Sequence, residues 1–142
     1  IKLSTIFSRS MIKNKWGRMI TISSTVAKEP SSGMVQSATS RAAVLAFNKS
    51  ISFDLAKSNV TNNSILLGGI ETNRLKKLIK INAKKSKINE SQLRNNILKN
   101  IPAGRFGKPD EVASLVEFLI SENGRYINGQ SIVIDGAMSK II

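Results

Sequence analysis

The sequence predicts an α/β fold in which three short parallel strands are covered by helices. Two observations carry that expectation. Three β-favouring runs, Arg18–Ser23, Val60–Leu67 and Ser131–Ile134, stand between five helix-forming stretches, giving the order α-β-α-β-α-α-α-β. Strands that alternate with helices imply a parallel sheet with right-handed crossovers and helices on both faces. The 142 residues fit one domain, and 41% apolar content is enough for a core.

In chain order, Leu3, Ile6, Phe7 and Met11 form a helical stripe, closed by Lys13, Lys15 and Gly17. The run Arg18–Ser23 is the first strand, and Ser24–Gly33, with its Ser, Glu, Pro and Gly, reads as a loop. Residues 36–57 contain no Gly or Pro and read as a long helix. Val44, Phe47, Ile51 and Leu55 line one stripe of it, and Ala42, Ala46 and Phe53 another, so two sides need cover, one from the sheet and one from a partner subunit. Val60–Leu67 is the second strand, broken by Gly68-Gly69. Residues 73–87 and 89–100 are two short helices, the second capped by Asn89 with Gln92 in the capping-box position. Ile101-Pro102-Ala103-Gly104 is a turn, and Pro109, Asp110 and Glu111 open a helix that buries Val112, Leu115, Val116 and Leu119 and stops at Gly124. Ser131–Ile134 is the third strand, left through Asp135-Gly136.

The missing residue types narrow the chemistry. Cysteine is absent, which excludes disulfides, thiolate metal sites and thiol nucleophiles. Histidine is absent as well, removing the commonest general base and metal ligand, so no metal site is expected. Tyr126 is the one tyrosine. No 18-residue apolar run or signal peptide is present, so a soluble, cytoplasmic protein with no membrane partner is expected. The net charge of +13 is concentrated: residues 74–108 hold eleven Lys and Arg against Glu90 alone, a net +10. Such a patch attracts phosphates or an acidic partner. Its single aromatic residue, Phe106, argues against nucleic-acid binding, which would use stacking platforms.

Four segments together resemble the second half of a short-chain dehydrogenase/reductase, and most closely the 3-oxoacyl-carrier-protein reductase-like members. Gly17-Arg18-Met19-Ile20-Thr21-Ile22-Ser23-Ser24 is similar to the strand that ends in that family's substrate-polarising serine. Val60-Thr61-Asn62-Asn63 through Gly68, Ile70 and Thr72 is similar to the strand leading into its Pro-Gly-x-x-x-Thr motif, with Leu67 in the proline position. Ile101–Ala113 and Tyr126–Gly136 resemble the turn-helix and the closing strand that follow. The resemblance implies the C-terminal half of a Rossmann-type doubly wound sheet, residues 1–142, with a basic two-helix lid at about 73–100. No Gly-x-Gly-x-x-Gly loop occurs, so NAD or NADP would bind only together with an N-terminal dinucleotide-binding half that this chain lacks. The chain begins at Ile1 rather than Met, and upstream strands, the first ending in a glycine-rich loop, are expected to complete the sheet beside Arg18–Ser23.

The same resemblance implies the site. The family reduces a carbonyl with hydride from NAD(P)H, using a serine to polarise it, a tyrosine to donate the proton and a lysine four residues on. The serine position falls on Ser24; the tyrosine position, thirteen residues later, holds Ser37, and the lysine position holds Arg41. A serine hydroxyl is shorter and far less acidic than a phenol, and a guanidinium can hold a ribose hydroxyl but does not give up its proton. Ser24, Ser37 and Arg41 therefore form either a weakened catalytic site or helix-surface residues of a site no longer used. Gly68, Ile70 and Thr72 fall where the family contacts the cofactor; a plain turn would need Gly68 alone and explains Thr72 less well. The implied function is reduction of a carbonyl on a small molecule or a 3-oxoacyl thioester. The alternative is a catalytically inactive subunit with a structural or binding role. In either case a homo-oligomer, dimer or tetramer, is expected from the two-sided helix.

Overall fold

The computed structural model describes residues 1–141. It contains helix α1 (Lys2–Lys13), strand β1 (Gly17–Ser24), helix α2 (Val35–Ala56), strand β2 (Val60–Leu67), helices α3 (Asn73–Lys85), α4 (Glu90–Leu98) and α5 (Pro109–Ile120), and strand β3 (Ser131–Ile134). The strands form one parallel sheet in the order β1-β2-β3. Its register pairs Ser24 with Leu67 and Leu67 with Ile134, so all three strands end at the same level. In open parallel sheets, ligands collect outside that carboxyl end.

Local chemistry sets the element ends. Asn89 Oδ1 accepts from the Gln92 amide at 2.7 Å and caps α4; Thr72 Oγ1 does the same for α3 through the Leu75 amide at 3.2 Å. The Glu111 carboxylate reaches back to the Lys108 amide at 2.7 Å and fixes the start of α5 behind Pro109. The bounds of β1, α2, α3 and α4 differ from the sequence reading by one or two residues, and two places differ more. The segment after β1 carries a 3-10 turn, Thr25–Ala27, and α5 stops at Ile120, ahead of a second 3-10 turn, Glu122–Gly124. Gly124 is needed there because a Cβ would lie 2.5 Å from the Phe118 carbonyl oxygen.

The core centres on β2, whose residues Val60–Leu66 are all buried. The sheet-facing side of α2 is only in part the apolar stripe expected from sequence: Leu55 is buried, whereas Val44, Phe47 and Ile51 are not fully so. Its buried residues are Ala38, Asn48, Ser52 and Leu55. Asn48 Nδ2 donates to Thr21 Oγ1 at 2.9 Å and to Ser64 Oγ at 3.0 Å, and Asn62 Nδ2 donates to the Asn48 carbonyl at 3.1 Å. On the opposite face of β2, Asn63 donates to the Ile127 carbonyl at 2.7 Å and accepts from the Gln130 amide at 3.0 Å. Asn128 bonds the Asn62 amide at 2.8 Å and the Val60 carbonyl at 3.2 Å. Val44, Phe47 and Ile51 are half-buried, with Phe47 and Ile51 lining a groove against α1, and Phe53 stays 63% exposed.

Helices α3 and α4 have a small core of their own. Ile79, Ile101 and Phe106 are buried together, with Leu75, Leu93, Ile97, Leu98 and Met138 packed around them. Each such buried side chain contributes about 1.5–3 kcal/mol.

Candidate functional site

Ser24 is the last residue of β1. Its Oγ accepts from the Val26 amide at 3.5 Å, so it caps the 3-10 turn that follows and is held at the carboxyl edge of the sheet. Ser37 and Arg41 lie one helical turn apart near the start of α2, and both are half-buried. Arg41 Nη1 donates to Ser37 Oγ and, at 3.2 Å, to the Ser37 carbonyl. The i, i+4 geometry of the helix therefore makes a serine–guanidinium pair. Helix α2 packs against the 3-10 turn that Ser24 caps, which brings that pair and Ser24 to one end of the sheet.

Gly68, Ile70 and Thr72 follow β2 at the same end, and each has structural work. The Gly68 amide donates to the Ile134 carbonyl at 2.9 Å, and a Cβ there would lie 2.5 Å from Asp135 Cβ. Ile70 is buried and bridges to Gly107: the Glu71 amide donates to the Gly107 carbonyl at 2.8 Å and the Gly107 amide to the Gly69 carbonyl at 2.9 Å. Thr72 caps α3. The segment 68–72 is thus a rigid ledge, tied to β3 on one side and to the Gly107 loop on the other.

A cavity of about 360 Å³ lies on the far side of this ledge, lined by Ile70, Arg105, Glu111, Val133, Asp135 and Gly136 among others. It contains none of Ser24, Ser37 and Arg41. Its charges are already committed. Arg105 holds Glu111 through two bonds of 2.6 and 2.8 Å, and together with the Lys108 amide this lowers the Glu111 carboxyl to about 2. Burial raises the Asp135 carboxyl, but bonds from Ser139 and from the Ala137 and Met138 amides outweigh it and hold it below its ordinary value. No group of three or more Asp and Glu able to hold a metal occurs among the described residues.

Three features of this end were missed from sequence. Asn48 and its polar partners form a seam under the site, Glu71 projects from the ledge, and Arg94 of α4 meets it at 2.8 Å. The signal for the first was a central strand, Val60–Leu67, with four consecutive polar residues, Thr61–Ser64. Nothing in the sequence pattern marks the second and third.

The family model described as enoyl-(acyl carrier protein) reductase matches residues 1–139. The chain is 38% identical over 130 residues to the 3-oxoacyl-[acyl-carrier-protein] reductase FabG of Aquifex aeolicus, covering 92% of this chain and 48% of that protein. It is 36% identical over 135 residues to the NADPH-dependent reductase BacG of Bacillus subtilis, covering 95% and 52%. Among solved structures, YwfH, an NADPH-dependent reductase involved in bacilysin biosynthesis, superimposes with a TM-score of 0.86 at 36% identity, over 93% of this chain and 50% of that one. The chain thus spans about half the length of the relatives it matches. No helix among the described residues is long and apolar enough to cross a membrane. With its parallel sheet and its serine-edged carboxyl end, the chain belongs to the short-chain dehydrogenase/reductase family.

Proposed function

We propose that this chain carries the substrate-facing part of an NAD(P)H-dependent carbonyl reductase acting on a 3-oxoacyl thioester or a related small carbonyl compound. The observation behind this reading is the pairing of Arg41 with Ser37 beside the Ser24 edge. A guanidinium that donates to Ser37 Oγ occupies a lone pair and leaves the hydroxyl proton to point elsewhere, so the hydroxyl can donate to a carbonyl oxygen that Ser24 also polarises. Arg41 uses one nitrogen for Ser37 and has others to offer a ribose hydroxyl. This donor set fits the nicotinamide end of a dinucleotide, which would supply the hydride; Gly68, Ile70 and Thr72 would shape the wall beside it. The pyrophosphate grip falls to an N-terminal half carrying a glycine-rich loop. Helices α3 and α4 act as the basic lid, and their cations suit an acidic carrier or a substrate phosphate.

A second reading, an inactive subunit, is favoured by the apolar surface of α1 and by the weak acidity of a serine hydroxyl. Helix α1 buries no residue completely and exposes Leu3, Ile6 and Phe7 by more than half. These, and Phe53 on another side of α2, leave apolar surface for a second copy, giving a dimer or tetramer.

Turnover of an acetoacetyl thioester with NADH or NADPH, measured on the full-length protein, separates the two. The double variant Ser37→Tyr with Arg41→Lys is expected to raise the rate at least ~10-fold, the low end of general-acid effects. An unchanged rate with intact dinucleotide binding would establish the inactive subunit instead.

A further inference from the structure

We propose that Arg94 is the latch that couples the two-helix lid to the ledge beside the cofactor position, so that opening the lid slackens the ledge. This rests on the functional reading above for what the ledge touches, but not for the latch itself.

One guanidinium joins three parts of the molecule. Arg94 Nη1 lies 2.8 Å from Glu71 Oε1, and both side chains are only about one-third exposed, at 38% and 34%. The same guanidinium sits over the Phe106 ring, 4.8 Å from its centroid. Phe106 in turn packs on the ledge: a Cβ at Gly69 would lie 2.9 Å from Phe106 Cδ1. Arg94 is thus held by a carboxylate of the ledge and by the ring that presses on the ledge backbone, while its own helix belongs to the lid. Glu71 is the acid of the Gly68–Thr72 segment, and its amide is pinned to Gly107 at 2.8 Å. When α4 moves off the ledge, the Arg94–Glu71 bond must break, and the Phe106 ring under the guanidinium loses its contact with Arg94 or with Gly69.

The rest of the lid gives the contact its importance. Among the described residues, Arg94–Glu71 is the one ion pair that involves a residue of 73–100. The other cations of α3 and α4 repel one another and favour opening. An ion pair combined with a cation–π contact opposes that opening.

The test is amide hydrogen exchange on the full-length protein, with Arg94→Ala, Glu71→Gln, and the charge swap Arg94→Glu with Glu71→Arg. Either single variant should speed exchange by ~3–10-fold, both across α3–α4 and at the Gly68–Thr72 and Gly107 amides. The swap should restore most of the protection. The dissociation rate of NADPH, followed by its fluorescence, should rise in the single variants by a similar factor. Faster exchange confined to α4, or no change at all, would overturn the latch. If Arg94→Ala does not fold, Arg94→Lys takes its place: it keeps the charge but loses the planar stack on Phe106, and unchanged exchange at the Gly68–Thr72 and Gly107 amides overturns the proposal. If the wild type binds neither NADPH nor NADH, the functional reading fails while the exchange data still decide the latch.

Discussion

Strands β1 and β2 lie side by side, and their sequences invert the usual expectation. β1, Gly-Arg-Met-Ile-Thr-Ile-Ser-Ser, has the apolar residues Met19, Ile20 and Ile22, yet none of the three is fully buried and Ile22 is 52% exposed. β2 has Thr61, Asn62, Asn63 and Ser64 in sequence, and all four are at most 3% exposed. Position in the sheet explains the difference. β2 is flanked on both sides, whereas no strand among the described residues pairs with the outer side of β1. Burial was assigned by topology, and hydrogen bonds offset most of its cost: the side-chain nitrogens of Asn48, Asn62, Asn63 and Asn128 find partners at 2.7–3.2 Å, while Asn48 Oδ1 and Thr61 Oγ1 find none.

The comparison breaks most severely at Asn48. Replacing it with Leu removes two bonds, strands the Thr21 and Ser64 hydroxyls in the core and forces a branched side chain against them. The expected loss is ~2–4 kcal/mol, read from the midpoint of urea unfolding. A loss below ~1 kcal/mol would mean that the seam contributes little. At Ile22, Lys tests whether the outer side of β1 is covered: in residues 1–142 alone the half-exposed site should change stability by no more than ~0.5 kcal/mol, and in a full-length protein whose upstream strands pair with β1 the loss should be several-fold larger. A large destabilisation would show that β1 is covered in solution.

The smallest effect separates the seam from the surface by pH. Amides and hydroxyls do not titrate, so the seam is indifferent to acid. Glu111 is not: its carboxyl is lowered to about 2 by Arg105 and the Lys108 amide. A depressed carboxyl stabilises the fold fully above its ordinary value, near ~4.3, and that contribution disappears as pH falls through 2. The side-chain carbonyl resonance of Glu111 should therefore titrate with a midpoint near 2, and its exposure keeps the accompanying change in stability small. A midpoint in the ordinary carboxylate range would dissolve the pair with Arg105.

What could be read from sequence follows the range of the interactions. The α1 stripe, the Asn89 cap, the Pro109 start and the bounds of β2 depend on neighbours within one or two turns, and the chain displays them directly. The order β1-β2-β3 is not displayed by the pattern itself, which gives only parallel strands joined by helical crossovers. The role of Asn48 was hidden because its partners Thr21 and Ser64 are 27 and 16 residues away, and a polar residue on a helix ordinarily marks its wet side. Arg94 was hidden within a basic run in which every cation looks alike; only its position over Phe106 and Glu71 distinguishes it. At the candidate site, the spacing of Ser24, Ser37 and Arg41 could be read, but the bond between Ser37 and Arg41 required the helix to be built.

The Asn128 side chain behaves as a piece of backbone. Its oxygen accepts from the Asn62 amide and its nitrogen donates to the Val60 carbonyl, extending the ladder beyond the four residues of β3. The residue after it is Gly129, and an asparagine followed by glycine is chemically fragile: the glycine amide nitrogen can attack the side-chain carbonyl carbon and expel ammonia, giving a succinimide that water then opens to a carboxylate. Here that nitrogen donates to the Asn62 carbonyl at 3.0 Å, and the side-chain amide is held at both ends. The reaction can proceed only while residues 127–130 are lifted off the sheet, and a carboxylate formed there would face the Val60 carbonyl with no proton to share. Ageing at Asn128 thus records the time the molecule has spent open at this edge, and each event makes the edge harder to close again.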